Sequence, residues 1–164
     1  MTDYNKGLAI LEEKFGGGKD NVLGLATIAQ EPGANGQPRP VVRDVDAFYE
    51  DGAFYVITYS TSSKMQQIAK NNEIAIAVNF AWFTASGVGE NLGWVLDPKN
   101  AELRTKLREA FKEWYDMANN ENDQNCSYLA LRLTNGVINI NHHETLIHMD
   151  FANKTATVTG KPLE

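Results

Sequence analysis

Leu8, Leu11 and Phe15 recur at helical spacing until Gly16-Gly17-Gly18 stops the pattern, which predicts one short amphipathic helix over residues 3–15 and a glycine cap to residue 18. The pattern then changes to the two-residue period of strands. Residues 22–28 read as a strand, Glu31-Pro32-Gly33-Ala34-Asn35-Gly36 supplies the residues of a tight reversal, and the chain returns from Pro40. Residues 41–49 and 53–58, joined by Glu50-Asp51-Gly52, complete three antiparallel strands in succession. A hydroxyl-rich stretch, Ser60-Thr61-Ser62-Ser63, leads into a second helix over 64–71, with Met65, Ile68 and Ala69 on one face.

Two further strands follow at 73–80 and 82–88. Asp97-Pro98 then pairs a favoured N-cap with a favoured first helical residue. The stripe Leu103, Leu107, Ala110, Phe111, Trp114 and Ala118 predicts one helix over 97–118 lying on the outside of the sheet. The polar run Asn119-Asn120-Glu121-Asn122-Asp123-Gln124-Asn125 reads as an exposed, mobile crossover. Strands return at 128–133, 137–140, 145–149 and 155–158, with Asn135-Gly136, the strongest hairpin dipeptide in the chain, predicting a turn. Short strands separated by frequent turns predict a mainly β (α+β) fold, an antiparallel sheet of six to eight strands closed or partly closed on itself with flanking helices.

With 164 residues, one domain over 1–164 is expected. A hydrophobic content of 43% permits a packed core. No apolar run approaches the roughly 20 residues of a membrane span, and the first 15 residues are too polar for a signal peptide, so a cytoplasmic location is expected. A single cysteine, Cys126, excludes an internal disulfide framework and fits a reducing compartment. The net charge of -6 argues against a chain that coats nucleic acid or anionic membrane, so an anionic ligand has to be held locally.

The window that answers this requirement is Thr58-Tyr59-Ser60-Thr61-Ser62-Ser63-Lys64, where a strand delivers hydroxyls and one ammonium to the start of a helix. Free N–H groups, the helix dipole and Lys64 together suit a phosphate. Taken alone the window needs no ligand, because Ser63 as N-cap and Gln66 at the third helical position fit the capping-box spacing. Arg43 and Val45, two apart on a strand, share a face that Asp44 does not. Arg43 alone is equally served by a surface ion pair, worth roughly 0–1 kcal/mol.

Other suggestive residues read as decoys. His143-Glu144-Thr145-Leu146-Ile147-His148 has one residue too many for a zinc-protease helix, and His142, His143 and His148 near a hairpin suggest surface positions, with His148 the one placed to shape a pocket. No metal site is expected. Gly87-Val88-Gly89-Glu90-Asn91-Leu92-Gly93 misses the dinucleotide fingerprint by one position, and Gly16-Gly17-Gly18-Lys19-Asp20 lacks the spacing of a Walker loop.

In order and spacing the chain resembles the pyridoxamine 5′-phosphate oxidase-like superfamily of FMN-binding split barrels, most nearly its small general-stress-protein branch. The likeness runs from about Asn21 to Leu92. Pro40-Val41-Val42-Arg43-Asp44-Val45 is similar to the family's Arg-x-Val strand, Phe54-Tyr55-Val56-Ile57-Thr58 to its next strand, and Lys64 follows six residues after Thr58. Ile74-Ala75-Ile76-Ala77-Val78 and Trp82-Phe83-Thr84-Ala85-Ser86-Gly87 are similar to the two strands that follow.

The resemblance implies that Arg43, Asp44 and Val45 line the flavin, that Ile57 and Thr58 meet the edge of its ring, and that Ser63 and Lys64 hold its phosphate. It implies a homodimer with FMN at the subunit interface and redox chemistry on a small-molecule substrate, with no nucleic acid or membrane partner. Two positions depart from the oxidases proper: Ser63 stands where they carry a second basic residue, and Trp82, the remaining cofactor-site candidate, where they carry glutamine. The sequence closes on Lys161-Pro162-Leu163-Glu164 without the Trp- and Arg-containing segment that grips pyridoxal substrates, so a vitamin B6 oxidase is not expected. No side chain stands out as a catalytic acid or base. A flavin-dependent oxidoreductase, a non-catalytic stress-response protein binding flavin or haem, and a cofactor-free interaction domain all remain open at this point.

Overall fold

In the computed structural model, which describes residues 1–164, the alternation of apolar and polar positions becomes eight antiparallel strands. They are β1 (Asn21–Ile28), β2 (Pro40–Glu50), β3 (Ala53–Tyr59), β4 (Glu73–Val78), β5 (Phe83–Trp94), β6 (Cys126–Ile140), β7 (Thr145–Asp150) and β8 (Thr155–Gly160). Their order is β3-β2-β1-β4-β5-β6-β7-β8, and β3 pairs again with β6, so the first six close into a barrel that β7 and β8 extend.

The strand β6 makes this possible by its length of 15 residues. Its first half, Cys126 to Arg132, pairs with β3 and closes the barrel. Its second half, Asn135 to Ile140, pairs with β7. The turn predicted at Asn135-Gly136 does not form. Gly136 lies between Ala85 of β5 and Met149 of β7, and ladders on both sides outweigh the local turn preference of the dipeptide.

One ladder stops short. Strands β2 and β3 pair only through Phe48–Tyr55, Tyr49–Phe54 and Glu50–Ala53 beside their hairpin. Beyond it β2 continues along β1 and β3 along β6, so the barrel is split between them.

The helix α1 (Asp3–Phe15) begins at Thr2, whose hydroxyl accepts from the Asn5 N–H, and plugs one end of the barrel. The Phe15 ring lies 6.2 Å from Tyr49 and 5.7 Å from both Phe54 and Phe83. Burying such a ring stabilises the fold by roughly 2–3 kcal/mol. It is one of 22 buried residues that form the main core. A second cluster of eight, among them Phe48, Ile57, Phe111, Tyr115 and Tyr128, lies outside the barrel wall under the third helical segment.

That segment is not the single helix predicted over 97–118. Asp97 caps a short 3-10 turn (Pro98–Asn100) as the dipeptide suggested, then come α3 (Ala101–Ala110) and, after an irregular turn, α4 (Tyr115–Ala118). The break lets neighbouring residues serve opposite sides. Trp114 stacks on Phe111 at 4.8 Å and donates its indole N–H to Asp20 (2.8 Å), while Tyr115 turns inward to meet the Tyr128 hydroxyl at 2.6 Å.

The polar run after α4 is also tied down rather than loose. Glu121 accepts from both Arg104 Nε (2.6 Å) and Nη2 (2.8 Å) and from Arg108 Nη1 (3.1 Å), and its carbonyl accepts from the Trp94 indole (2.8 Å). The helix between β3 and β4, α2 (Ser63–Lys70), lies within one residue of its predicted bounds. No helix is long and apolar enough to cross a membrane.

At Gly87 the β5–β6 register shifts by one residue, and a Cβ there would collide with the Arg132 carbonyl. Gly87→Ala is therefore expected to destabilise the protein by about 2–4 kcal/mol, read as a lower urea midpoint at unchanged slope. A change below about 0.5 kcal/mol would show that the bulge absorbs a side chain.

Candidate functional site

Where β2 and β3 separate, the gap is a cavity of about 200 Å³. Arg43, Asp44, Val45 and Asp46 of β2 line it on one side and Val56 and Ile57 of β3 on the other, with Lys64 of α2 and Trp114 at its margins. A roomier groove of about 540 Å³ crosses the outer face of β4 to β8, but its lining of small and hydroxyl side chains with His148 and Asp150 brings no cations together.

The polar chemistry of the smaller cavity is set by Arg43. Its Nη1 donates to the Thr27 hydroxyl (2.6 Å) and the Leu25 carbonyl (3.2 Å), and its Nη2 to Gln67 Oε1 (2.8 Å). Thr27, itself 1% exposed, donates to the same Gln67 oxygen at 2.6 Å, which closes a ring of three hydrogen bonds linking β1, β2 and α2. All these partners are uncharged. The surface ion pair left open for Arg43 by the sequence is absent, and its Nε–H has no partner in the chain.

Lys64 donates to Thr58 Oγ1 (2.9 Å) and has no carboxylate partner either. Burial, and then the neighbouring Arg43 charge, hold its ammonium below the usual lysine range. The backbone N–H groups of Ser63, Lys64 and Met65 open α2 with no acceptor. Two cations thus border a gap whose walls combine Val45, Val56, Ile57 and Trp114 with Asp44 and Asp46, next to the start of α2. Physically, this is an arrangement that stabilises an anion attached to an apolar body.

Five of the eight residues singled out in the sequence, Arg43, Asp44, Val45, Ile57 and Lys64, line this cavity, and Thr58 anchors Lys64 beside it. Ser63 is the first helical residue and exposed, and the capping box expected of it does not form. The cap is Ser62, whose hydroxyl lies 3.3 Å from Thr58 Oγ1, while Gln66 turns to the Thr61 carbonyl. Trp82 is not in this chain's cavity. It sits in the β4–β5 turn at a φ of 55°, edge-on to His142 with the rings 6.1 Å apart.

Thr27, Gln67, Asp46, Val56 and Trp114 complete the surroundings. The Thr27 and Gln67 roles carry no local sequence signal, because they depend on which strand lies beneath α2. Gln67 could be suspected only from standing three residues after Lys64, on the same helical face. The histidines stand apart from the cavity: His142 packs on Trp82, His143 is bonded to Asn139 (2.8 Å) and His148 to Thr159 (3.3 Å).

Neither a scan of family models nor a search of curated proteins gives a match. Solved structures do. A pyridoxamine 5′-phosphate oxidase-related, FMN-binding protein from Nostoc punctiforme superposes with a TM-score of 0.59 at 17% identity, over 99% of this chain and 98% of that one. A Clostridium acetobutylicum protein related to general stress protein 26 of B. subtilis gives 0.60 at 14% identity, over 94% and 99%. A heme-binding protein from Mycobacterium smegmatis gives 0.62 at 16% identity, over 87% of this chain and 58% of that longer one. The fold is that of the pyridoxamine 5′-phosphate oxidase-like split barrels. In this split barrel the opening between β2 and β3 is where the charged and apolar residues converge.

At the rim of the split, burial and then the facing Asp20 carboxylate hold the Asp46 carboxyl above the usual aspartate range. A carboxyl that binds its proton more tightly when folded adds stability on the acid side, and that contribution is lost as pH rises from the ordinary aspartate range, about 4, through the raised folded pKa. The Tm of Asp46→Asn minus that of wild type is therefore expected to grow with pH across this window and then level off. A difference independent of pH would show that the Asp46 carboxyl is not raised on folding.

Proposed function

We propose that this chain is an FMN-binding flavoprotein of the pyridoxamine 5′-phosphate oxidase-like family, working as a flavin-dependent oxidoreductase on a small molecule. The observation that carries the reading is the pair Arg43 and Lys64, two cations without a carboxylate hydrogen-bond partner at a split walled in part by Val45, Val56, Ile57 and Trp114. FMN matches this chemistry in parts. Its phosphate suits Lys64, the Arg43 Nε–H and the free N–H groups at Ser63 and Lys64, and its ring suits walls of Val45, Val56, Ile57 and Trp114.

When bound, FMN supplies the capacity to accept and pass on a hydride. This chain's residues contribute binding and orientation. Lys64, steadied by Thr58, and Arg43, steadied by Thr27 and Gln67, fix the phosphate end, and the unpaired edges of β2 and β3 offer backbone hydrogen-bonding groups to the ring's polar margin. Val45, Val56 and Ile57 keep water from its faces.

The same residues favour flavin over haem, although one similar structure is of a heme-binding protein. An axial imidazole is the usual protein contribution to a haem site, and no histidine lines this chain's split, His143 and His148 being bonded to Asn139 and Thr159 elsewhere. A stress-response protein that binds flavin without turnover would use the same contacts.

A single subunit supplies only about 200 Å³, whereas sites for ligands of this size run from roughly 300 to 1,000 Å³. The proposed working form is accordingly a homodimer with FMN between subunits. Trp82, 56% exposed on a turn beside Phe80 at 87%, is the residue proposed to reach the partner's flavin. A cytoplasmic setting is consistent with the buried free thiol of Cys126, and the net charge of -6 with the absence of nucleic-acid or membrane partners.

Freshly purified protein is expected to be yellow, to release FMN on heating, and to bind added FMN. Lys64→Ala should weaken FMN binding by roughly ten- to a hundredfold through loss of a charge-assisted contact. The flavin-free Tm should move by less than about 2 °C. Colourless protein without response to FMN would overturn the reading, and equal affinity in wild type and variant would remove Lys64 from the site.

A further inference from the structure

The hydrogen bonds of Arg43 point to one residue outside the cavity that decides what the cavity can hold. Of the five guanidinium N–H groups, both on Nη1 are engaged by Thr27 and the Leu25 carbonyl, and one on Nη2 by Gln67. The Nε–H and the second Nη2 hydrogen are left, and this adjacent pair is the fork that grips an oxyanion with two parallel bonds. Arg104 uses the same Nε and Nη2 atoms on the Glu121 carboxylate, at 2.6 and 2.8 Å.

We propose that Gln67 is the specificity-determining residue of the split: its neutral amide, locked by Thr27, aims the free fork of Arg43 while leaving its charge uncompensated for a dianionic phosphoryl group. The Gln67 oxygen accepts from both Thr27 (2.6 Å) and Arg43 (2.8 Å), so it holds the guanidinium by hydrogen bonding alone. A carboxylate at this position would have the same shape and reach, yet would pair with Arg43 and cancel the attraction. Position 67 also lies one helical turn after Lys64, so one face of α2 positions both cations, Lys64 directly and Arg43 through Gln67. Gln67 is thus a positioning residue that touches no ligand itself.

This rests on the FMN reading for the identity of the ligand, but not for the existence of the anion site. The test compares wild type, Gln67→Glu and Gln67→Met for binding of FMN and of riboflavin, which lacks the phosphate, and for the shift of the Arg43 Nε–H resonance on adding inorganic phosphate. Gln67→Glu is expected to lose FMN affinity by about tenfold or more with riboflavin affinity changed less than about twofold, and to lose the phosphate-induced shift. Gln67→Met, which leaves Arg43 charged, should lose less FMN affinity than Gln67→Glu and keep the shift.

Parallel losses of FMN and riboflavin would mean a merely structural role, and equal losses in the Glu and Met variants would mean that charge is not what matters. Either overturns the proposal. If Gln67→Glu fails to fold, the Met variant decides: weaker FMN binding than wild type with riboflavin binding unchanged supports the proposal, and FMN binding equal to wild type overturns it. Wild type that binds neither flavin yet shows the Arg43 phosphate shift, lost in Gln67→Glu, would overturn the FMN reading and uphold Gln67. Wild type that binds FMN with no Arg43 response to it or to phosphate would overturn Gln67 and leave the FMN reading standing, and wild type that responds to none of the three ligands would overturn both.

Discussion

The early end of the β2–β3 ladder is the constraint from which the candidate site follows. A barrel with all six ladders complete would bring β2 against β3 along their whole length and leave no opening. Here pairing stops at Phe48–Tyr55, because β2 is drawn along β1 as far as Pro40 while β3 is drawn along β6 as far as Tyr59. Each strand keeps one full partner, so the fold is secure while two edges stand apart. Unpaired edges are ordinarily a liability. In this chain they are flanked by α2, by Trp114 and by charged side chains, which turns an edge defect into a cleft of defined chemistry.

The parts of the fold that follow from local rules were legible in the sequence, and those decided by competition between ladders were not. Alternating burial in β1 and β4, the start of α1 before its glycine stop, and the Asp97-Pro98 helix start all reflect preferences of the residues concerned. Asn135-Gly136 misleads because a strand bonded on both sides overrides the best of turn dipeptides. The stripe from Leu103 to Ala118 marks the buried face but not the break, across which Trp114 reaches out to Asp20 and Tyr115 in to Tyr128, partners distant in sequence. The polar run at 119–125 looks loose as sequence, whereas Arg104 and Arg108, one turn apart on α3, capture Glu121.

The candidate site divides in the same way. Arg43 on its strand and Lys64 at a helix start stand out from the residues themselves, whereas Val45, Ile57 and the ring-edge role of Thr58 follow only from the family resemblance. The residues that give Arg43 its properties, Thr27 and Gln67, lie 16 and 24 positions from it, and only the closed barrel under α2 brings them together. Ser63 shows the limit of capping rules. The favoured residue type recurs at 60, 62 and 63, and Ser62, which holds the cap position, turns its hydroxyl to Thr58 on the preceding strand instead of to the helix N–H groups.

Holding two cations without counter-charge in a chain of net charge -6 selects the kind of ligand as well as its sign. At physiological ionic strength charges are screened over about 8 Å, so the 21 acidic residues act as a weak general repulsion while Arg43 and Lys64 act at contact. A small, strongly hydrated anion has to surrender its water to reach them and gains nothing from the apolar walls. A phosphate carried on a planar apolar body gains on both counts: burial of the body against Val45, Val56 and Ile57 displaces water from the split, and the lower local dielectric strengthens the contacts to the phosphate. On the proposed reading such a ligand would bind more tightly than free phosphate or an uncharged ring, each of which engages only one half of the split.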